Sequence, residues 1–486
     1  MPLFVVRRAV LAFCSSFFGV GGDMFRLVSV IALVCFGFVA TGSASPSDTE
    51  KATVVDIYRH IVEMDTSVEG GRVPEMAAYL AGLFQGAGFS SDDIHVLPHG
   101  KTASLVVRYR GDGTGGRPIL LMGHMDVVPA HRADWARDPF KFVEDAGFFF
   151  GRGSADNKSG VALLTASFLN LKAEKFTPTR DLIIAFTGDE ETVGLTATSL
   201  VREHREMIDA EFALNSDAGG GQISEIGVPV VYALQTAEKT FASFKLTARN
   251  EGGHSSQPRP DNAIYDVVSA LSKVRRYAFP IMWNQTTVAA FRASGRVTKG
   301  TIGKAMRRFA SQPGDRWASR VLSGSPFHVG QVRTTCIPTL IQGGHADNAL
   351  PQSVTATVNC RIFPGVAIEK VQAKIQQLVG KKIEVGPLET NYTASDASPL
   401  RPDVLAAVTA AVHASYPGVP IVPSMSSGAT DGVFYRAAGI PTYGVSEIFI
   451  KDSDDFSHGL NERVPVETFY AGLTHWRVLL TTLAGR

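Results

Sequence analysis

Residues 119–126, Ile-Leu-Leu-Met-Gly-His-Met-Asp, form a short apolar run that ends in polar side chains. A second run of this kind, residues 182–191, reads Leu-Ile-Ile-Ala-Phe-Thr-Gly-Asp-Glu-Glu. Strands that are apolar along their whole length are typical of sheets covered by helices on both faces. Helical spacing of apolar residues is present at 161–172 and again at 196–206. The alternation of strands and helices predicts an α/β domain.

This α/β pattern is interrupted by residues 236–387. Within them, 240–249 alternate polar and apolar side chains, as in a strand with one face in solvent. The elements that follow are a helix at 262–277, strands at 331–341 and 354–362, a helix at 368–379 and a strand at 382–385. This βαββαβ order predicts a small α+β domain, in which 280–326 are an insertion without a predicted structure.

The length of the chain also favours two domains. It has 486 residues, whereas a single hydrophobic core usually stops growing at about 250–300 residues. The α/β pattern returns from about residue 388. We therefore predict an α/β domain in two parts, 45–235 and 388–486, with the α+β domain inserted at 236–387.

Residues 1–44 are predicted to be a signal peptide or leader. The apolar run 27–40 is shorter than the roughly 20 residues that cross a bilayer, and residues 42–44, Gly-Ser-Ala, are small enough for signal-peptidase cleavage. The signal peptide would begin at Met24, which predicts a periplasmic or secreted protein. The alternative is a protein anchored in the membrane by its N-terminal segment. No membrane span is predicted in the mature chain.

Two cysteines lie outside the leader, Cys336 and Cys360. They are symmetric about Asn348, so antiparallel pairing of the flanking strands would place them opposite each other. An exported protein can oxidise such a pair to a disulfide. Two buried thiols that pack as small apolar groups fit the sequence equally well.

Composition and motifs exclude several classes of function. The formal charge is +1, from 47 Lys+Arg and 46 Asp+Glu, and no basic block stands out along the sequence, so nucleic acid is not a predicted partner. Residues 111–116 match GxGxxG but open no helix, so we predict a hairpin turn there instead of a dinucleotide site. The chain has no GxSxG motif, which argues against a serine nucleophile.

Residues that can bind metal follow the predicted strands of the α/β domain. Open α/β sheets place ligands at the carboxyl ends of their strands. Each residue alone has a structural interpretation, as a core histidine, a helix cap or an acid in a solvated loop. Together they predict a metal centre. The candidates are His124, Asp126, Asp156, Asp189, Glu190, Glu191, Asp217 and His458.

Five of these candidates balance the charge of two divalent cations. Asp156, Glu191 and Asp217 carry three negative charges, and His124 and His458 are neutral as ligands, so two cations and one hydroxide ion bring the total to zero. A single cation would leave an excess of two negative charges in a partly buried site, which is costly. Histidine and carboxylate ligands suit Zn²⁺, with Co²⁺ or Mn²⁺ as substitutes.

The motifs occur in the order of a known enzyme family. They are His124-Met-Asp126-Val-Val-Pro129, Gly151-Arg152-Gly153 with Asp156 and Lys158, Glu190-Glu191, Asp217, Gly253-His254-Ser255-Ser256 and His458-Gly459-Leu460-Asn461-Glu462. From about residue 50 to its end, the chain resembles the M20 family of metallopeptidases. That family includes glutamate carboxypeptidase, carboxypeptidase S, dipeptidases, aminoacylases and succinyl-diaminopimelate desuccinylase. The resemblance implies a zinc-peptidase catalytic α/β domain and an inserted lid and dimerisation domain.

The resemblance also implies how the metal ligands are shared. His124 and Asp217 would hold one zinc ion, Glu191 and His458 the other, and Asp156 would bridge the two. A metal centre of this kind lowers the pKa of water and polarises a carbonyl group.

The same resemblance gives roles to the neighbouring acids. Glu190 would be the general base that takes a proton from the attacking water. Asp126 would orient the ring of His124. The cis peptide bond found in the family would lie between Asp156 and Asn157.

Four further residues would contact the substrate by this resemblance. His254 would stabilise the oxyanion, commonly in the active site of the partner subunit. Arg361 would bind the substrate carboxylate, a task suited to a guanidinium group. Asn348 matches the asparagine that precedes a proline in the family, and Gly428 matches its glycine-rich substrate loop. Asn359 stands where the family usually has aspartate.

Taken together, the sequence predicts a dinuclear zinc hydrolase. It would cleave the C-terminal peptide bond or N-acyl amide of a small peptide or N-acyl amino acid with a free carboxylate, and it would dimerise through the inserted domain. The alternatives are an N-acyl-amino-acid amidohydrolase and a non-catalytic binding protein on the same fold. The sequence does not determine which substrate side chain is preferred, which metal is bound, or whether His254 acts across a dimer.

Overall fold

The computed structural model describes residues 45–389 and 392–486, so the predicted leader lies outside the described residues. The helices are α1 (Asp48–Val62), α2 (Val73–Gly86), α3 (Ser159–Ala173), α4 (Leu195–Arg202), α5 (Arg205–Ile208), α6 (Ala263–Arg276), α7 (Gln285–Val297), α8 (Gly300–Ser311), α9 (Arg316–Ser323), α10 (Ile368–Val379), α11 (Pro402–Ser415), α12 (Gly432–Ala437) and α13 (Val466–Ala484). Within the described ranges, no helix is both long and apolar enough to cross a bilayer.

The strands are distributed among these helices along the chain. They are β1 (Ile94–His99), β2 (Thr102–Tyr109), β3 (Ile119–His124), β4 (Val143–Asp145), β5 (Phe148–Phe150), β6 (Leu182–Thr187), β7 (Phe212–Asn215), β8 (Gly220–Ile223), β9 (Pro229–Glu238), β10 (Thr240–Arg249), β11 (Gly253–His254), β12 (Thr335–Gly343), β13 (Ala349–Leu350), β14 (Ser353–Ile362), β15 (Ile383–Pro387), β16 (Ile421–Ser426), β17 (Thr442–Gly444), β18 (Phe449–Lys451) and β19 (Arg463–Pro465).

A large mixed sheet forms the centre of the molecule. Its strand order is β1-β2-β6-β3-β7-β17-β9-β8-β18, and β16 pairs with β9. The central strands β6, β3, β7 and β17 are parallel, with β3 between β6 and β7. Their carboxyl ends therefore lie at one edge, where the metal-ligand candidates follow β3, β6 and β7.

Helices cover both faces of this sheet, as predicted. Alternate residues of each central strand enter opposite cores, because successive side chains of a strand point to opposite faces. Leu121 and Ile184 pack with α1, α2, α3, α11 and α13. Leu120 and Ile183 pack with α4, α5 and α12. The prediction of an α/β fold is confirmed.

A smaller antiparallel sheet has the order β12-β14-β10-β15. Leu246 and Val358 on one of its faces pack against Val267 of α6 and Ile375 of α10. The four strands of this sheet and the two helices on it occur along the chain in the order β10, α6, β12, β14, α10 and β15, which matches the predicted βαββαβ order. The short strands β11 and β13 and the helices α7, α8 and α9 lie between them. The chain passes from the large sheet to the small one between Glu238 and Thr240.

The insertion contains three helices, α7, α8 and α9, which were not predicted from sequence. They enclose a separate small core that includes Phe291, Met306, Phe309 and Leu322. A hydrogen bond between the hydroxyl groups of Thr236 and Thr286, 2.6 Å apart, joins the start of α7 to the end of β9.

Two local predictions are wrong. Residues 111–116 are not a hairpin turn, because β2 and β3 both pair with β6 and not with each other. The helix predicted at 196–206 is two helices, α4 and α5, separated at residues 203–204.

Cys336 and Cys360 face each other in β12 and β14, in the register predicted from their symmetry about Asn348. They form a disulfide bond. The bond links the edge strand of the small sheet to its neighbour and closes a loop with a sequence separation of 24.

One buried acid makes stability depend on pH. The carboxyl group of Glu447 accepts a hydrogen bond of 2.8 Å from Trp476 Nε1 of α13, while its Oε1 atom has no hydrogen-bond partner among the described residues. Burial raises the pKa of Glu447 to about 7. The folded protein therefore holds this proton more tightly than the unfolded chain, in which the pKa is about 4.3.

We expect Glu447→Gln to stabilise the protein at high pH. Ionisation of Glu447 costs the folded state nothing below the unfolded pKa, and the cost grows to about 4 kcal/mol as pH rises to about 8. Urea unfolding should show the variant more stable than the wild type at about pH 8 and little changed at about pH 4. The exposed Glu369→Gln is the control. An equal change at both pH values would refute the assignment.

Candidate active site

A cleft of about 380 Å³ lies at the carboxyl ends of the central strands. One wall carries most of the predicted metal ligands, and the opposite wall is formed by β9, β16 and the loop after β16. The residues that line it include Asp156, Glu190, Glu191, Asp217, His458, Gln235, Ser424, Met425, Ser426 and Thr430.

His124 joins two carboxylates at one side of the cleft. It is the last residue of β3 and is almost fully buried. Its Nε2 atom lies 2.9 Å from Asp156 Oδ1 and 3.3 Å from Asp217 Oδ1. Asp217 reaches this position because it closely follows β7, the parallel neighbour of β3.

His458 forms a second group of the same kind. Its Nε2 atom lies 2.9 Å from Glu191 Oε1 and 3.1 Å from Asp156 Oδ2. Asp156 therefore contributes one oxygen to each histidine, and it belongs to both groups. The peptide bond after Asp156 is cis, as the resemblance implies.

The donor atoms fit divalent cations. Three ligands around one tetrahedral Zn²⁺ at about 2.0–2.2 Å are about 3.3–3.6 Å from one another, and the donor separations in the two groups, 2.9–3.3 Å, are close to that spacing but slightly shorter. Donors of His124, Asp156 and Glu191 all lie within 4.8 Å of one another. Imidazole nitrogens and carboxylate oxygens are also the ligand types that zinc prefers.

The protonation state of each of these donor residues depends on its neighbours. Burial alone would raise the pKa of Asp156, but hydrogen bonds from His124 and His458 outweigh it and lower that pKa. Hydrogen bonds to Asp156 and Glu191 raise the pKa of His458 to about 10. Because histidine binds metal through a neutral ring, a cation must displace protons from this centre.

Glu190 extends into the cleft beside the metal-ligand candidates. Burial raises its pKa well above the usual range, with further contributions from the carboxylates of Asp217 and Asp431. Burial also raises the pKa of Asp217 to about 7. A bound cation would reverse these shifts, since its positive charge favours the ionised carboxylates.

Asp126 does not hold His124 through its side chain. The ring Nδ1 atom lies 3.0 Å from the backbone oxygen of Asp126 and 3.6 Å from the nearer carboxylate oxygen. The carboxylate instead accepts hydrogen bonds from the backbone amides of Glu190, at 3.1 Å, and Glu191, at 2.9 Å. Asp126 thus orients the ring with its main chain and fixes the acidic loop with its side chain.

Glu462 is an important residue that sequence reasoning did not single out. Its buried carboxylate accepts hydrogen bonds from Arg152 Nη1 at 2.7 Å and from the amides of Gly153, Ala155 and Asp156 at 2.8–3.0 Å. It therefore holds the loop that positions Asp156. The available signal was its place in the motif at 458–462.

The loop after β16 is supported by a buried ion pair. Arg436 Nη1 donates to Glu238 Oε1 at 2.6 Å, and Glu238 Oε2 accepts from the backbone amide of Thr430 at 3.0 Å. Asp431 accepts a hydrogen bond from the hydroxyl group of Thr187, at the end of β6. The glycine-rich loop is thereby fixed against the strand that precedes the acidic residues.

Arg361 and the Gly428 loop lie together. Arg361 is in β14, and its Nη1 atom donates a hydrogen bond of 3.0 Å to the backbone oxygen of Ser427. Its guanidinium carbon also lies 4.9 Å from the ring centre of Phe241. The amide of Gly428 donates to Ser426 Oγ at 2.9 Å. A cation thus stands beside the loop that continues into the cleft lining.

His254 and Asn348 lie together, but neither lines the cleft. His254 is in β11, which pairs with β13, and the amide of Ser255 donates to the backbone oxygen of Asn348 at 3.0 Å. Ser256 Oγ lies 2.7 Å from His254 Nδ1. Both predicted residues are exposed. The structure therefore does not bring them to the metal-ligand candidates of the same chain.

Comparison with known proteins gives a consistent result. Residues 120–482 match the family model described as peptidase family M20/M25/M40. An N-fatty-acyl-amino acid synthase/hydrolase of Xenopus tropicalis is 28% identical over 366 residues, which cover 72% of this chain and 69% of the relative. A probable carboxypeptidase S-like protein of Dictyostelium discoideum is 26% identical, with 75% and 72% covered.

The fold is also found in solved structures. An M20 family metallo-carboxypeptidase from Sulfolobus solfataricus superposes with a TM-score of 0.68 at 15% identity. The match covers 90% of this chain and 99% of that one. At this level of identity, the likeness concerns the architecture alone.

Proposed function

Because this chain belongs to peptidase family M20/M25/M40 and is a hydrolytic enzyme, we propose that it is a dinuclear zinc exopeptidase acting on small substrates with a free carboxylate. The observation that carries the proposal is the position of Asp156, whose Oδ1 atom faces His124 and whose Oδ2 atom faces His458. One carboxylate shared by two histidine groups is the arrangement that a bridging ligand requires.

In this proposal His124, Asp156 and Asp217 would hold one Zn²⁺, and Glu191, Asp156 and His458 would hold the other. The bound ions would polarise the scissile carbonyl and increase the acidity of water. Co²⁺ or Mn²⁺ could replace zinc with the same donor types.

Glu190 moves the proton in this reaction. Its carboxylate takes a proton from the water whose oxygen attacks the carbonyl carbon, and it delivers that proton to the amide nitrogen as the C–N bond breaks. The Glu190 backbone is fixed by its amide hydrogen bond to Asp126, which limits the positions that the carboxylate can reach.

Arg361 binds the substrate carboxylate in this proposal. It lies beside the Gly428 loop, and its Nη1 atom donates a hydrogen bond to the Ser427 backbone oxygen. The remaining N–H groups of the guanidinium are available to bind an anion. His254 would stabilise the oxyanion from a partner subunit, since it does not reach the cleft of its own chain.

We expect Arg361→Ala to discriminate between substrates. A charge-assisted hydrogen bond contributes about 1.5–3 kcal/mol, so kcat/KM for a dipeptide with a free carboxylate should fall by about 10- to 150-fold. The amidated analogue lacks the anion, and its slow hydrolysis should change little. Arg249→Ala, an exposed arginine of the same small sheet, is the control. Equal losses for both substrates would argue against carboxylate recognition.

A second candidate reaction is hydrolysis of N-acyl amino acids. It is favoured by the similarity over about 70% of both chains to a relative named N-fatty-acyl-amino acid synthase/hydrolase. The same proton transfer by Glu190 serves a peptide or an acyl amide, because the bond broken is the same. The third alternative, a binding protein without activity, would be expected to lack one of these ligands or Glu190.

We also propose a homodimer formed through the small sheet. Its edge strand β12 exposes Ile337, Leu340 and Ile341, and α6 exposes Tyr265 and Val268. An apolar edge strand without cover promotes association. A second copy at this edge would bury these side chains and bring a second His254 into the assembly.

Export to the periplasm or medium is the proposed localisation, with a signal peptide that begins at Met24. The support comes from the apolar run 27–40 and from the Cys336–Cys360 disulfide, since such bonds persist in oxidising compartments.

The test of the proposed function joins two measurements. Metal content per chain is determined by mass spectrometry, and hydrolysis of a panel of dipeptides and N-acyl amino acids is followed before and after chelation. Two zinc ions with cleavage that chelation abolishes and zinc restores support the proposal, and the preferred substrates choose between peptidase and acylase. Cleavage that survives removal of all metal would refute it.

A further inference from the structure

The three inserted helices carry an unusual excess of positive charge. Residues 285–323 contain eight lysines and arginines and a single acid, Asp315. The other residues of 45–486 contain 36 basic and 44 acidic side chains. The near-neutral charge of the whole chain therefore conceals a cationic bundle on an otherwise acidic protein.

These cations are exposed and largely unpaired. Arg308 forms an ion pair with Asp315 at 2.8 Å. The other seven basic side chains of the bundle are exposed and form no ion pair with any residue that the structure describes. They are Arg292, Arg296, Lys299, Lys304, Arg307, Arg316 and Arg320. Because these seven side chains form no ion pair with the described residues, they are available to bind an anionic partner.

Large apolar side chains are also exposed in or next to these helices. Val297, the last residue of α7, is 77% exposed, and Phe327, shortly after α9, is 88% exposed. Helices joined by short turns run back along one another, so the C-terminal ends of α7 and α9 lie at the same end of the bundle. The small core between the three helices contains neither Val297 nor Phe327.

We propose that this end of the bundle docks on an anionic phospholipid surface. Lys and Arg near such a surface are attracted by its negative potential, and exposed apolar side chains can enter the boundary between head groups and acyl chains. A nucleic acid would satisfy the charges but would leave Val297 and Phe327 in water. This inference is independent of the reaction that the cleft catalyses.

The experiment measures partition of the full chain onto vesicles by sedimentation. The quantity compared is the ratio of partition coefficients on phosphatidylcholine vesicles with and without phosphatidylglycerol, because an apolar N-terminal segment would bind both kinds. The test variant is Arg296→Gln, Lys299→Gln and Arg320→Gln combined. The control combines Arg202→Gln, Lys370→Gln and Lys381→Gln, three exposed cations elsewhere. Thermal unfolding by circular dichroism shows that each variant is folded.

We expect the wild type to prefer the anionic vesicles and the control to behave like it. Each basic residue near the surface contributes about fivefold, so the test variant should lose about 100-fold in the ratio. Val297→Ser with Phe327→Ser should weaken binding to anionic vesicles at high salt, where charge attraction is screened. A wild-type ratio near one, an unchanged test variant, or tighter binding to duplex DNA than to anionic vesicles would overturn the proposal.

Discussion

Replacement of Glu190 by glutamine is expected to reduce kcat/KM by about 10³-fold without loss of bound metal. Proton transfer by a positioned side chain contributes about 10²–10⁴-fold to catalysis, and glutamine keeps the size of the side chain but cannot accept the proton. Glu190 is not among the donors grouped around either histidine. Steady-state kinetics and metal analysis on the same sample measure both quantities.

Asp189 provides a matched control for Glu190. It is the preceding acid, but its carboxylate accepts hydrogen bonds from the amides of Leu195, at 2.7 Å, and Thr196, at 2.9 Å, at the start of α4. Asp189→Asn should therefore lower stability by about 1 kcal/mol, as loss of a helix cap does, and keep kcat/KM within about tenfold. If Glu190→Gln retained full turnover, Glu190 would not be the base.

Replacement of Asp156 by alanine is expected to abolish activity and to reduce the metal content below two ions per chain. The substitution removes one donor from the group of His124 and one from the group of His458, which no other single residue does among those that the structure describes. Asp134→Ala, an exposed acid in the same half of the chain, should leave metal content and activity unchanged.

The pH dependence of metal binding gives an independent test of the same centre. The raised pKa of His458, about 10, means that its ring is protonated in the metal-free protein at neutral pH. Metal binding must release that proton, so zinc affinity should fall as pH falls. Calorimetry in buffers of different ionisation enthalpy measures the proton release.

For the Asp156→Ala variant, a metal content of two zinc ions per chain would show that Asp156 does not bridge the two ions.

Several ligand candidates could be recognised from sequence because they stand at the end of an apolar strand, while Asp156 and His458 were recognised from motifs that precede a helix. An apolar strand is identified from local sequence, and parallel strands bring their ends together, as His124 at the end of β3 and Asp217 after β7 illustrate. The side-chain role of Asp126 could not be inferred in this way. Its partners are the amides of Glu190 and Glu191, which belong to a different strand connection.

Other features depended on partners that local patterns do not reveal. The sequence did not predict the bundle α7 to α9. In α8, Ile302, Met306 and Phe309 have helical spacing. The glycine and polar residues around them make this apolar periodicity weak. The prediction of a hairpin turn at 111–116 is wrong because β6, a strand that comes later in the sequence, lies between β2 and β3.

The hydrogen bonds of Glu462 have a consequence for the timing of synthesis. Arg152 and Glu462 are 310 residues apart in sequence, and ribosomes add about 5–20 residues per second, so about 15–60 seconds pass between them. During that interval the loop that bears Asp156 lacks its anchor, and the chain also lacks His458. A growing chain therefore carries the other metal-ligand candidates before the loop that bears Asp156 is anchored, and the candidate site is complete only after His458 and Glu462 have been added.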